Sequence, residues 1–220
     1  MTETRWEAIL VSDSSGVLRY TKHLMEQGSL EWHEMRNDKL TGTGFKNIMG
    51  ADMLSVADRL IANSETGYIE DEGYVSDEMQ RGTDLEPKAI EAYEARTGSA
   101  SERVGFIQSA KYPLFGYSPD GLIGGEGEIE VKCPSTHRHV KYIRQNQVPN
   151  DYKWQIIAKF VLREDLQWVD FISFDPRFTK KPLFIYRQQR SEVLVEIAEG
   201  QVKVEKFFTK LDQLRNEILF

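Results

Sequence analysis

Cysteine is nearly missing from this sequence, since Cys133 is the only one among 220 residues. A lone cysteine cannot form an internal disulfide, and it excludes a zinc or iron–sulfur site built from several cysteines of one chain. The sequence also lacks any apolar run near the roughly 20 residues that a membrane-spanning helix needs. Its first residues do not show the charged-then-apolar layout of a secretory signal. These absences predict a cytoplasmic protein without a membrane partner.

Positive charge is outnumbered, because 28 Lys and Arg stand against 35 Asp and Glu, for a net charge of −7. This excess argues only weakly against a nucleic-acid partner, since the local field matters more than the total charge. Residues 131–150 contain no acidic residue, yet they carry several basic ones. This basic sector is either a solvated helix face or a surface for a phosphate backbone.

The length predicts one domain, with an N-terminal extension over 1–25, a core over about 26–190 and a C-terminal helix over 191–220. Apolar periodicity and turn residues predict helices over 51–63, 83–97, 135–147, 150–163 and from 191 onward. Strands are predicted over 104–110, 114–123, 128–133, 168–174 and 182–188. Short helices and turns are expected over 17–50, and a loop over 64–82. This order predicts an α/β fold with a central mixed β-sheet flanked by helices.

Two predicted helices have further sequence signals, one for its ends and the other for the side that it buries. Thr83 and Glu86 have the spacing of a capping box, and Gly98 suits a C-terminal stop. In the last helix, apolar residues recur every seven positions at Ile197, Val204, Leu211 and Ile218. That seam is more typical of a core-facing stripe than of a partner surface.

The stretch GYSPDGLIGGEGEIEVKCPS, over 116–135, brings three charged residues into one small region. Glu130 and Lys132 are two apart on a predicted strand, so they share a face, while Val131 points to the core. If the segments before and after the glycines form neighbouring strands, Asp120 comes alongside Glu130. Two carboxylates and one lysine would then converge.

Such a set suits phosphodiester hydrolysis. Carboxylate oxygens are the ligands that Mg²⁺ prefers, and the bound ion lowers the pKa of a water and stabilises charge on the phosphate. The lysine would stay protonated beside the carboxylates and orient the nucleophile or neutralise the scissile phosphate. The alternative is ordinary structure, because S-P-D-G is also a good β-turn sequence and Glu130 with Lys132 could be a surface pair.

Several segments together resemble the PD-(D/E)XK nucleases, and among them the phage lambda exonuclease type, the YqaJ-like viral recombinases. The similar segments, in chain order, are EQGSLEWHEMRNDKLTGT (26–43), RGTDLEPKAIEAYEARTG (81–98), YSPDGL…EIEVKCP, YKWQIIAKFVL (152–162) and FDPRF (174–178). The resemblance covers about residues 26–178. It implies a restriction-endonuclease-like core and a Mg²⁺-dependent 5′-to-3′ exonuclease that digests the 5′-ended strand of duplex DNA.

The resemblance also implies roles for individual residues at the metal site. Asp120 and Glu130 would bind two Mg²⁺ ions, replaceable by Mn²⁺, with the carbonyl of Val131 as a further ligand. Lys132 would be the catalytic lysine. Glu86 would approach the metals from its helix, although it could simply cap that helix through Thr83.

For the DNA, the resemblance implies that Arg36 and the hydroxyls of Thr41 and Thr43 bind the 5′ phosphate. It places Gln155 near the active centre and Met79 as a wedge that parts the strands. Arg36 could instead pair with neighbouring acids, Gln155 could be exposed, and Met79 could be ordinary packing. The basic helix after the catalytic strand could contact the DNA backbone through Arg138, Lys141 and Arg144.

Family members form trimeric rings around double-stranded DNA ends and work with a single-strand annealing protein in recombination, so such partners are implied here. The sequence thus indicates a phage-derived, alkaline-type exonuclease that leaves a 3′ overhang. Two alternatives stay open. One is an endonuclease of the same superfamily, of the restriction or repair type. The other is a DNA-end binding module without catalysis.

Overall fold

The structure is a computed structural model that describes residues 6–68 and 76–220. The strands are β1 Glu7–Ser12, β2 Leu18–Leu24, β3 Ser101–Glu102, β4 Phe106–Ser109, β5 Gly116–Tyr117, β6 Gly121–Ile123, β7 Gly127–Lys132, β8 Trp168–Phe174 and β9 Leu183–Gln189. The helices are α1 Leu30–Asn37, α2 Gly42–Met49, α3 Met53–Thr66, α4 Asp77–Thr97, α5 Thr136–Gln145, α6 Asn150–Leu162 and α7 Leu194–Leu219. None of the helices in these two ranges combines the length and apolarity needed to cross a bilayer.

The central sheet has five strands in the order β3-β6-β7-β8-β9. β7 and β8 run parallel, and the other neighbours are antiparallel. A second sheet of four antiparallel strands has the order β1-β2-β4-β5. Mixed strand directions with helices on the sheet are the α/β arrangement that the sequence predicts.

The two faces of β7 differ in polarity. Ile129 and Val131 point to one face, where they pack with Ala89, Ile90 and Tyr93 of α4. The alternate residues Glu128 and Glu130 are buried on the other face, toward α6. Side-chain alternation along a strand therefore gives β7 an apolar face and a charged, buried face.

Helix α4 begins six residues before the predicted start at Thr83. Ser76 is its N-cap, and the Ser76 hydroxyl accepts a hydrogen bond from the backbone N–H of Met79. The spacing of Thr83 and Glu86 also fits a helix interior, where the Thr83 hydroxyl donates to the carbonyl of Met79. The capping prediction at Thr83 is therefore wrong, whereas Gly98 does end the helix in the left-handed conformation.

The predicted loop over 64–82 is shorter than expected. Residues 64–66 belong to α3, and residues 77–82 belong to α4. The part over 69–75 lies outside the described residues.

The N-terminal segment is part of a sheet rather than a set of short helices and turns. β1 and β2 form a hairpin whose turn contains Gly16 at a φ of 82°. β2 then pairs with β4, with Tyr20 opposite Ser109. The prediction of helices and turns is wrong over Leu18–Leu24 and agrees with α1 and α2 after it.

Helix α7 packs its apolar stripe into the core. Ile197, Val204, Phe207 and Leu211 are buried among α2, α3 and α6 residues. Ile218, near the C-terminus, is 58% exposed. The predicted core-facing seam is confirmed except in its last turn.

Candidate active site

A cleft lies where the end of β7 meets the beginnings of α2 and α6. Its lining comes from four parts of the fold: α1 and α2, the segment before β6, the end of β7, and α6. The lining residues are Gln27, Trp32, Arg36, Thr41, Gly42, Thr43, Tyr117, Ser118, Asp120, Glu130, Lys132, Gln155 and Lys159. Most of the residues proposed for the site from the sequence thus lie around one cleft.

Asp120, Glu130 and Lys132 converge as the strand pairing predicts. Asp120 immediately precedes β6, in which Gly121 pairs with Ile129 of β7. A carboxylate oxygen of Asp120 accepts a hydrogen bond from the backbone N–H of Val131 at 2.6 Å. The Lys132 Nζ lies 2.6 Å from Glu130 Oε1. The three side chains line the same cleft, and Val131 points into the opposite core.

Sequence reasoning missed a second lysine at this site. Lys159 of α6 is only 3% exposed, and its Nζ lies 2.6 Å from Glu130 Oε2 and 2.7 Å from Glu128 Oε1. Glu130 is therefore held between two ammonium groups, one at each carboxylate oxygen. The available signal was the spacing of four between Gln155 and Lys159, which places both on one side of a helix.

The two carboxyl groups of the cleft have opposite pKa shifts. Burial raises the pKa of Asp120 to about 7, and the negative charge of Glu130 adds to this rise. Burial also opposes the ionisation of Glu130, but Lys132 and Lys159 outweigh it and lower its pKa to about 2. Glu130 is thus the permanent anion of the pair, while Asp120 is harder to ionise because it is buried beside that anion.

The donor set fits a hard divalent cation. Among the described residues, no three or more His, Cys, Asp or Glu side chains gather in a way that would hold a metal. The available donors are the carboxylates of Asp120 and Glu130, and oxygen is the ligand type that Mg²⁺ takes. Burial is the main cause of the raised pKa of Asp120, with the charge of Glu130 adding to it, and a bound cation would favour the ionised form of this carboxyl. The sequence-based metal site therefore has suitable donors in Asp120 and Glu130.

Arg36 belongs to a small polar pocket at the other end of the cleft. Its guanidinium carbon lies 4.0 Å from the centroid of the Trp32 ring. Both side chains donate to the Ser118 hydroxyl oxygen, at 2.9 Å from Arg36 and 2.8 Å from Trp32. The ring and the hydroxyl fix the plane of the guanidinium, so its other donors keep a defined direction.

The beginning of α2 completes this pocket. Thr41 is the N-cap residue, and its side chain makes no capping hydrogen bond. Thr41 and Thr43 both line the cleft beside Gln155. The sequence predicted these three positions but missed Trp32 and Ser118. The Tyr-Ser pair ahead of Pro119 was the signal for Ser118.

Glu86 lies next to the cleft rather than in its lining. Its Oε1 is 3.5 Å from Arg103 Nη1, which also donates to the Asp120 carbonyl at 2.8 Å. The charge of Glu86 contributes to the raised pKa of Asp120. Glu86 is therefore close enough to affect the Asp120 carboxyl, and Arg103 links it to the backbone of Asp120.

The remaining predicted residues do not line the cleft. Arg138, Lys141 and Arg144 are exposed on α5, and Arg138 is 3.5 Å from Asp151. Met79 is 56% exposed in the first turn of α4. No hydrogen bond or ion pair among the described residues joins any of these four side chains to the carboxylate pair.

A family model described as the YqaJ-like viral recombinase domain matches residues 31–162, more than half of the chain. The chain belongs to this family. The match confirms the resemblance found in the sequence. A search of curated proteins returns no significant match.

Solved structures of exonucleases share the fold. An alkaline exonuclease, LHK-Exo, from Laribacter hongkongensis is 32% identical, with a TM-score of 0.77 over 86% of this chain and 96% of that one. The structure of LHK-Exo in complex with dAMP is 31% identical, with a TM-score of 0.73 over 86% of this chain and 97% of that one. A phage related exonuclease from Haemophilus somnus 129PT is 17% identical, with a TM-score of 0.53 over 82% of this chain and 96% of that one. At that identity, the match shows the fold alone.

These likenesses confirm the restriction-endonuclease-like fold class. They also support a nuclease of the exonuclease type for this YqaJ family member. Nucleases of this type generally use divalent metals.

Proposed function

We propose that this YqaJ family protein is a Mg²⁺-dependent exonuclease that digests the 5′-ended strand of linear duplex DNA and leaves a 3′ overhang. One observation carries the proposal: Asp120, Glu130, Lys132 and Arg36 line the same cleft. Two carboxylates and a lysine beside a guanidinium that can hold a terminal phosphate suit an enzyme that begins at a DNA end. The similarity to an alkaline exonuclease supports the same conclusion.

Asp120, Glu130 and the carbonyl of Val131 are the proposed metal ligands, with Glu86 approaching from α4. We propose two Mg²⁺ ions, which Mn²⁺ can replace. Bound ions of this kind lower the pKa of a water and stabilise charge on the phosphate. Glu130 supplies a carboxylate that is ionised at any working pH, since the lysines keep its pKa low.

Lys132 is proposed to stabilise charge rather than to abstract a proton. Burial disfavours its cationic form, but Glu130 and Asp120 outweigh burial and raise its pKa above the ordinary value. An ammonium group that keeps its proton can hold a phosphate oxygen and cannot serve as a base. Gln155 lines the cleft beside it, and its amide can both donate and accept hydrogen bonds.

The Arg36 pocket is proposed to bind the 5′-terminal phosphate. Arg36 offers a planar donor fork whose direction Trp32 and Ser118 fix. Thr41 and Thr43 add hydroxyls at the start of α2, where backbone N–H groups and the helix dipole favour an anion. Anchoring the 5′ end there would give the enzyme its polarity.

The duplex is proposed to run past α5, whose exposed Arg138, Lys141 and Arg144 follow the catalytic strand. Phosphate contacts of this kind carry no sequence information, as a general exonuclease requires. Met79 is proposed as the wedge that parts the strands, which its exposure on α4 permits. A trimeric ring, an annealing partner and a cytoplasmic site of action follow from family membership as proposals.

The proposal is tested with end-labelled linear duplexes that differ only in a 5′-phosphate or a 5′-hydroxyl. A closed circular duplex of similar length is the control substrate. We expect Mg²⁺-dependent release of 5′ nucleotides, faster from the phosphorylated end, and an intact circle. Nicking or cutting of the circle would favour an endonuclease. Binding of ends without any hydrolysis would favour a module that has lost catalysis.

A further inference from the structure

Helix α6 and strand β7 face each other through a ladder of polar side chains. Positions four apart on α6 share one side of the helix. They are Gln155 and Lys159, and Arg163 follows at the same spacing as the C-cap residue of α6. Alternate positions of β7 share one face of the sheet. They are Glu128, Glu130 and Lys132. Glu128, Lys159 and Arg163 of this ladder are buried, whereas Lys132 and Gln155 lie at the end that opens into the cleft.

Lys159 is the central member of this ladder. Its Nζ contacts Glu130 Oε2 at 2.6 Å and Glu128 Oε1 at 2.7 Å, and it donates to the Ile129 carbonyl at 3.4 Å. A buried ammonium with these three partners has a fixed position. Because Glu130 contacts Lys132 through its other oxygen, the plane of its carboxylate is set from both sides.

Glu128 has other partners besides Lys159. The Tyr117 hydroxyl donates to its Oε2 at 2.7 Å, and Arg163 Nη1 lies 3.6 Å from the same oxygen. Glu128 therefore has a hydroxyl and a second cation, whereas Lys159 is the charged partner of Glu130 Oε2 within the described residues. If Lys159 served only to neutralise Glu128, its contact with Glu130 would have no explanation.

We propose that Lys159 is a positioning residue for the hydrolytic reaction. It fixes the Glu130 carboxylate in the cleft, and Glu128, which is buried outside the cleft lining, holds Lys159 in place. This inference rests on the proposed nuclease function. Residues that orient a metal ligand commonly change metal affinity or activity by about 10–100-fold when they are removed. Lys159 would act in that way through Glu130, without touching the DNA.

The test uses a charge-balanced double variant, Lys159→Met with Glu128→Gln. Lys159→Met alone leaves two buried carboxylates without their shared cation and risks unfolding the chain. The double variant removes one positive and one negative charge, so it removes the Glu130 contact without changing the net charge. We expect its melting temperature to stay near that of the parent. We also expect kcat on linear duplex to fall about tenfold or more, with KM for DNA changed less than about twofold.

A second readout does not depend on catalysis. Mn²⁺ is titrated into the DNA-free protein and followed by electron paramagnetic resonance. We expect the double variant to bind Mn²⁺ about tenfold more weakly than the parent, because Glu130 keeps its charge but loses its fixed orientation. The matched control is Lys153→Met with Glu196→Gln, which removes another Lys–Glu pair, one that joins α6 to α7 at a separation of 3.0 Å. This control should keep parental kcat and Mn²⁺ affinity.

Parental kcat and Mn²⁺ affinity in the double variant would overturn the proposal and leave Lys159 as a neutraliser of Glu128. Loss of the cooperative unfolding transition in the double variant would also overturn it, since the role would then be structural. If the parent binds Mn²⁺ but digests no DNA, the proposed nuclease function fails. The Mn²⁺ comparison would still decide whether Lys159 positions Glu130.

Discussion

Arg36 stacks on Trp32, with its guanidinium carbon 4.0 Å from the ring centroid, and both residues donate to the Ser118 hydroxyl. Trp32, four residues away on α1, and Ser118, 82 residues along the chain, thus fix the guanidinium of Arg36 at the edge of the cleft. A planar group held in this way can form two parallel hydrogen bonds to a phosphate. A lysine in its place would supply the charge without the fork or the stacking.

Arg36→Lys should therefore weaken the preference for a 5′-phosphorylated end. We expect the ratio of kcat/KM between 5′-phosphate and 5′-hydroxyl duplexes to fall about tenfold, which corresponds to one charged hydrogen bond. The rate on 5′-hydroxyl ends should change little. Arg215→Lys, near the end of α7, where Arg215 donates to the Ser64 hydroxyl, is the control and should keep the parental ratio. An unchanged ratio in Arg36→Lys would remove Arg36 from the phosphate site.

The exposed basic face of α5 should contribute to binding through DNA phosphates. Arg144→Ala is expected to weaken duplex binding for all sequences alike and to reduce the slope of log K against log salt by about 0.9. The slope is measured by fluorescence anisotropy with a labelled duplex in Ca²⁺ or without metal. Lys206→Ala, exposed on α7, should leave the slope as it is. Equal slopes for both variants would mean that α5 lies off the DNA path.

The start of β7 offers a matched pair of glycines, with Gly125 in the turn before it and Gly127 as its first residue. A Cβ at Gly127 would overlap the Trp168 ring, whereas a Cβ at Gly125 meets nothing within 4 Å. We expect Gly127→Ala to destabilise the protein by about 1–3 kcal/mol, as overpacking does. Gly125→Ala should stay within about 0.5 kcal/mol of the parent. Urea unfolding gives both values, and similar stabilities for the two variants would contradict this packing.

Asp175 should make stability depend on pH in the acid range. Burial alone would raise the pKa of Asp175, but hydrogen bonds from Arg177 and Thr136 lower it to about 2. A lowered pKa stabilises the fold above the ordinary value of 3.8, and that contribution is lost as pH falls toward 2. Parent and Asp175→Asn should thus differ by about 1–2 kcal/mol at pH 6, and by progressively less from pH 4 to pH 2.

The control for that experiment is Asp212→Asn, an exposed substitution on α7. It should leave the free energy of unfolding within about 0.5 kcal/mol of the parent at each pH. A difference between parent and Asp175→Asn that stays constant down to pH 2 would show that ionisation of Asp175 is not what stabilises the fold.

The sequence was most informative where a short-range rule decides the structure. Strand alternation alone placed Glu130 and Lys132 on one face and Val131 on the other. The glycine-rich turn then brought Asp120 opposite them, as the structure confirms. Residue type and spacing were sufficient for this part of the site.

Long-range geometry accounts for what the sequence did not reveal. The contact between Lys159 and Glu128 depends on how α6 is rotated over the sheet, which no local pattern specifies. Trp32 and Ser118 meet only because α1 packs beside the segment before β6. The early hairpin was missed because β1 is exposed on both faces and lacks the alternation that marks a half-buried strand.

The most direct test is the rate at which Lys132→Ala releases nucleotides from a 5′-phosphorylated linear duplex at saturating DNA and Mg²⁺. Lys153→Ala on α6 is the control. Because Lys132 is proposed to stabilise charge at the scissile phosphate, we expect a loss of about 100-fold or more, with parental folding and DNA binding. A parental rate in Lys132→Ala would contradict the hydrolytic role of the Asp120, Glu130 and Lys132 cleft.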